Sequence, residues 1–167
     1  MRIRPSKKPS IPVSLDLRIE QQQKSLWCWV AVSVSVKRFY TTATIHQCEQ
    51  ASSQNDGKPC CDDPDACNVK DGYLMAALQR LGVFRQLVED SVPFELLAAE
   101  IAQKRPVCCR IEWRDRTGHF VCIDGYDGRA LFVKDPWDGA FLRVPYDEFK
   151  TRYRGSGRWT HTYLTTP

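Results

Sequence analysis

The sequence predicts an α+β fold, with helices first and an antiparallel sheet after them. Three observations predict it. Up to about residue 104 the apolar residues recur at helical spacing. After Pro106 the pattern switches to period two. Short turn signals then separate a series of strand-like runs. The 167 residues read as one domain, 1–167, with a helical lobe over about 20–104 and a β lobe over about 105–167. A cleft between two such lobes is a natural place for a site.

In chain order, residues 1–19 are rich in proline and lysine and read as an extended segment wrapped on the surface. Leu26 to Tyr40 carries Trp27, Val30, Ala31, Val34 and Val36, which fit a buried helix better than a strand, although the β-branched content leaves periodicity alone ambiguous. Ser25 is placed to cap it. Thr44 to Ser53 reads as a short second helix, and SSQNDGKPCCDDPDACN as a loop. From Lys70 to Leu81, Leu74, Ala77, Leu78 and Leu81 share a helical face that Gly82 ends. Pro93 opens a further helix over Phe94 to Lys104.

In VCCRIEW, Val107, Cys109, Ile111 and Trp113 share one face of a strand, and Cys108, Arg110 and Glu112 the other. HFVCIDGY, RALFVKD, AFLRVP and RWTHTYLT follow as strands, with turns at Gly125–Gly128 and Asp138–Gly139. Tyr146 to Tyr153 reads as a short helix.

Composition excludes several classes. With 43% hydrophobic and 26% charged residues the chain is ordinary for a folded protein. Its net charge of +4 is spread among interleaved acids and bases, so no nucleic-acid footprint is expected. No apolar run approaches the ~20 residues that span a bilayer. MRIRPSKKPSIPVSLDL begins like a signal peptide but lacks the apolar stretch of about 7–15 residues that should follow. No cofactor or metal is expected, and the chain reads as a monomer.

One of the eight cysteines stands apart from the rest. Cys28, in QQQKSLWCWVAVSVSV, falls in the first turn of the predicted helix. A free thiol titrates near about 8.5, the thiolate is the reactive form, and the unpaired N–H groups of a helix start favour an anion. The rival reading is a buried structural cysteine. Of the three histidines, His46 and His161 have bland readings. His119 opens a strand directly after Gly118, whose small size permits a close approach, and could serve the thiol as a base. Asp135, in FVKDPW, ends the next strand and could orient that imidazole; its rival reading is a turn former before Pro136. An amide near the helix mouth could donate to a developing oxyanion together with the Cys28 N–H. Spacing alone leaves Gln21, Gln22 and Gln23 open for that part.

Gln22, five intervening residues and Cys28-Trp29 resemble the active-site segment of papain-like cysteine peptidases, and GHFVCIDGYDG and VKDPW resemble their histidine and orienting-residue segments. The resemblance extends in ordered pieces over about residues 20–137. It is closest to small bacterial members: the double-glycine leader peptidases and the avirulence-type effector proteases with a WCW motif. It implies a papain-like fold and cysteine endopeptidase activity, with a protein or peptide as the partner acted on. Cys28 becomes the nucleophile, His119 the general base and acid, Asp135 the orienter, and Gln22 the oxyanion donor. It also raises a secreted effector or toxin role. An acyltransferase or amidase would use the same residues, and a non-catalytic binding module would keep the fold. Trp27, Gly118 and Trp137 are expected to touch substrate. Trp27 and Trp137 would wall the cleft and shield the Asp135–His119 bond, Trp29 would be core, and Arg110, Arg114 and Arg116 a solvated face.

Cys48, Cys60, Cys61 and Cys67 surround the acidic loop. A bond between the adjacent Cys60 and Cys61 is strained, which leaves 48–60 with 61–67, or 48–61 with 60–67. A zinc site is the rival, weakened by the lack of a CxxC pair. Disulfides imply an oxidising destination, periplasmic or secreted. Cys108, Cys109 and Cys122 read as small hydrophobes with at most one more bridge, since only one of the first two can face Cys122.

Overall fold

The computed structural model describes residues 11–70 and 73–167. The extended reading of residues 1–10 lies outside them, as do positions 71 and 72 of the helix expected from Lys70. The elements run β1 (Val13–Ser14), α1 (Cys28–Tyr40), α2 (Gln47–Gln54), a 3-10 turn (Asp65–Cys67), α3 (Leu74–Arg80), β2 (Phe84–Val88), α4 (Phe94–Ala102), β3 (Val107–Glu112), β4 (Gly118–Asp127), β5 (Ala130–Asp135), β6 (Ala140–Pro145), α5 (Tyr146–Arg152) and β7 (Arg158–Thr165). The seven strands form one sheet in the order β2-β7-β3-β4-β5-β6, with β1 on β4, and every pairing is antiparallel.

The sheet is covered on both faces. Helices α1 to α3 pack on one face with Cys108, Phe120, Cys122 and Tyr163. Helices α4 and α5 pack on the other with Val107, Cys109, Ile111, Val121 and Ile123. The period-two reading of VCCRIEW is therefore the observed division between the two cores.

Helix α1 shows why VAVSVSV, which alternates like a strand, is helical. Every residue from Cys28 to Val36 is buried, so no polar face is required of it. The buried hydroxyls of Ser33 and Ser35 donate back to the carbonyls of Val30 (2.9 Å) and Ala31 (2.7 Å), the usual way a serine is satisfied inside a helix. The helix begins at Cys28 rather than Leu26, and Ser25 does not cap it. The Ser25 hydroxyl instead accepts from Asn68 Nδ2.

Two strands were not expected. Both β1 and β2 lie before residue 104 and yet join the sheet, so the division into a helical and a β lobe is not clean in sequence. Strand β4 also runs on through Gly125, past the expected turn, with a register shift between Ile123 and Gly125. A side chain at Gly125 would collide with the Val13 carbonyl and with Phe132. The glycine is what lets β1 lie against the bulge.

Two disulfides form, Cys48–Cys61 and Cys60–Cys67, which resolves the connectivity and removes these four sulfurs as thiolate metal ligands. Cys108, Cys109 and Cys122 are buried free thiols, so the further bridge allowed from sequence is not made, although Cys108 and Cys122 are register partners.

Candidate active site

Cys28 occupies the first position of α1 and is almost fully buried. A residue there has no intrahelical acceptor for its N–H. His119 is the second residue of β4, and Asp135 the last of β5. The sheet brings the two together: His119 Nε2 lies 2.7 Å from Asp135 Oδ1. Nδ1 is the ring nitrogen left to serve the thiol. Cys28, His119 and Asp135 line one cleft of about 1360 Å³.

The electrostatics favour a charged imidazole. Burial opposes a charge on His119, but the Asp135 hydrogen bond and the neighbouring Cys28 sulfur outweigh it, and its pKa is raised to about 9. Burial likewise opposes the Asp135 carboxylate. The His119 and Tyr153 side chains and the Trp137 N–H overcome this and hold its pKa at about 2.

Asp135 has more partners than the sequence suggested. The Trp137 N–H donates to Oδ1 (3.0 Å), the Tyr153 hydroxyl donates to Oδ2 (2.7 Å), and Arg154 Nε lies 2.9 Å from Oδ2. Burial and the adjacent carboxylate push the Tyr153 pKa upward, so the hydroxyl stays a donor. Trp113 stacks on both His119 and Tyr153 at centroid distances of 6.3 and 6.4 Å. Sequence reasoning missed Tyr153, Arg154 and this role of Trp113. Their only signal was a helix end 18 residues beyond Asp135, which says nothing of a contact.

The helix mouth is braced from the disulfide loop. Trp27 Nε1 donates to the Cys67 carbonyl (3.0 Å), the Leu26 N–H to Asn68 Oδ1 (2.9 Å), and Lys24 Nζ to Asp65 Oδ1 (2.8 Å). Buried Gln47 of α2 accepts from the Gln23 N–H and donates to the Gln21 carbonyl. These contacts fix the stretch that carries Cys28.

Several expected site residues sit otherwise. Trp27 is fully buried among core residues and presents nothing to the cleft, because its indole N–H must turn inward to reach Cys67. Trp29, expected only in the core, is buried and also lines the cleft. Trp137 lines the cleft with 57% of its surface exposed. Gly118 lines it too, but the space its missing side chain leaves is taken by the Arg110 guanidinium, whose Nε would lie 2.9 Å from a Cβ. Arg110 is thus half-buried beside Glu112 and Thr160 rather than solvated. Gln22 does not line the cleft. Its Nε2 donates to the carbonyls of Lys24 (2.9 Å) and Ser25 (2.8 Å), and its buried Oε1 has no hydrogen-bond partner among the described residues. His46 caps α2 reciprocally with Glu49, and His161 bonds Thr160 in β7.

A thiol on a helix start facing a sheet-borne histidine, in this fold, defines the class: a papain-like cysteine peptidase. The chain belongs to the papain-like cysteine protease AvrRpt2 family, whose model matches residues 12–154. No curated protein sequence matches it. Among solved structures, a C39-like peptidase from Bacillus anthracis superposes with a TM-score of 0.63 at 16% identity, covering 93% of this chain and 98% of the other. The peptidase domain of Streptococcus ComA, a bifunctional ABC transporter involved in quorum sensing, gives 0.60 at 17%, covering 90% and 99%. Xylellain, a cysteine protease from Xylella fastidiosa, gives 0.57 at 12%, covering 96% and 87%. At these identities the likeness concerns the fold. The family match carries the enzyme class, a cysteine-type peptidase and hydrolase acting on protein. No helix of the described residues is long and apolar enough to cross a membrane.

Proposed function

We propose that the protein is a cysteine endopeptidase working through Cys28, His119 and Asp135. The observation that carries this is the buried 2.7 Å contact between His119 and Asp135, with Cys28 beside the same imidazole on the cleft. The Cys28 thiolate attacks a peptide carbonyl carbon, forming a C–S bond, and charge moves to the oxygen. The tetrahedral species collapses as His119 gives its proton to the leaving amine and the C–N bond breaks. His119 then takes a proton from water, which attacks the thioester. The acid product leaves and the thiolate is restored. Asp135 holds the imidazole in one orientation and supports its charge.

The oxyanion is held by the Cys28 N–H and by Gln22 after its amide rotates away from Lys24 and Ser25. The unpaired Oε1 supports such a rotation, since a buried acceptor left unmade costs about 1–3 kcal/mol. The two disulfides support an oxidising destination, and with it a secreted effector role.

Digestion of a peptide library by the wild-type protein and by Cys28→Ala tests the reading. Internal peptide bonds should be cleaved by the wild type alone. Equal cleavage by both proteins would refute it.

A further inference from the structure

We infer that Tyr153 and Arg154 form a charge-sharing clamp on Asp135 that limits how tightly the carboxylate holds protonated His119, making Arg154 a positioning residue of the reaction. The inference rests on the catalytic reading above.

The two carboxylate oxygens have separate duties. Oδ1 faces His119 and the Trp137 N–H. Oδ2 receives the Tyr153 hydroxyl at 2.7 Å and faces Arg154 Nε at 2.9 Å. The guanidinium is anchored on its other side by Asp138, 3.1 Å from each oxygen. The charges therefore alternate in a row: Cys28, His119, Asp135, Arg154, Asp138.

The backbone is shaped to place this arginine. Arg154 has φ 45°, a left-handed conformation for a non-glycine residue, and such positions persist where surrounding contacts demand them. The turn is pressed against the site at Gly157, where a Cβ would meet Ile111 at 2.5 Å and Trp113 at 2.7 Å. Trp113 in turn stacks on both Tyr153 and His119.

The chemistry explains what the clamp achieves. A lone buried carboxylate would stabilise the imidazolium strongly and make it a poor acid toward the leaving amine. Donors on Oδ2 draw charge away from that pair while fixing the carboxylate plane. The groups facing His119 are Cys28 from α1, Asp135 from β5 and Trp113 beyond β3. Arg110 lies past Gly118, and Tyr153, Arg154 and Asp138 act through Asp135.

The test compares wild type with Arg154→Gln and Tyr153→Phe, each confirmed folded by its thermal melt. It reads the pH dependence of kcat on a short peptide, and the ¹³C NMR titration of the His119 ring, assigned with His119→Ala. In both variants the titration and the alkaline limb of kcat should move to higher pH, by on the order of half a pH unit. The value of kcat should fall about two- to fivefold with KM unchanged. Arg154→Lys should recover part of the shift. An unmoved or lowered His119 titration in a folded variant overturns the clamp, as does a raised KM with the titration unmoved. The NMR readout needs no turnover, so activity retained by Cys28→Ala would sink the catalytic reading and leave the clamp still decided.

Discussion

Asp135 accepts at Oδ1 from His119 Nε2 at 2.7 Å, with both side chains buried. The contact joins the start of β4 to the end of β5, two strands paired from Cys122–Lys134 to Asp127–Ala130. Antiparallel pairing places the two residues at the same end of the hairpin, and the helix start of α1 faces that end.

This pair dictates a pH profile for stability. The His119 pKa is raised from 6.5 to about 9, so its contribution is whole below about 6.5 and is lost as pH rises through about 9. The Asp135 pKa is lowered from 3.8 to about 2, so its contribution is whole above about 3.8 and is lost as pH falls through about 2. Chemical denaturation across pH should show stability declining outside the window between those values. Asp135→Asn should flatten the decline on both sides. A variant with the wild-type profile would show that other groups govern it.

Trp27→Ala should unfold the protein more easily and leave substrate binding alone. A fully buried tryptophan truncated to alanine costs about 3–5 kcal/mol, and this one also supplies the hydrogen bond to Cys67. Urea melts and KM measured on the folded fraction would check this. A raised KM with unchanged stability would return Trp27 to the cleft wall expected from sequence.

The Cys60–Cys67 bond should matter to activity as well as stability, because Cys67 and Asn68 brace the residues just before Cys28. Replacing both cysteines by serine should cost about 2–4 kcal/mol and slow turnover in protein that is still folded. Turnover at the wild-type rate would mean that the brace is not needed for catalysis.

Gln22→Ala should lower kcat at least about tenfold with little change in KM, as loss of an oxyanion donor does. If kcat holds and only stability falls, the amide stays with the Lys24 and Ser25 carbonyls and its part is structural.

The pattern of what was legible follows from physics. The strands from β3 to β7 were readable as short apolar, β-branched and aromatic runs set off by turn signals, since a sheet covered on both faces buries most positions of its central strands β4 and β5. Strand β1 was hidden because its two residues carry no period, and β2 because its two polar residues, Arg85 and Gln86, are adjacent and break the alternation. The grouping of Cys28, His119 and Asp135 was expected because each stands at the end of a recognisable element. Tyr153 and Arg154 were missed because their partner is defined by a turn packed on Trp113. The inward turn of Trp27 depends on one hydrogen bond to a loop carbonyl, and the folding back of Gln22 on two, which no spacing encodes.

The most direct measurement is the rate at which iodoacetamide alkylates Cys28 at about pH 6, in wild type and in His119→Ala. A thiolate held beside an imidazolium should react much faster than a small-molecule thiol at that pH, and the advantage should vanish in the variant. Labelling of the wild type no faster than the free thiol, or equal rates in the two proteins, would contradict the account.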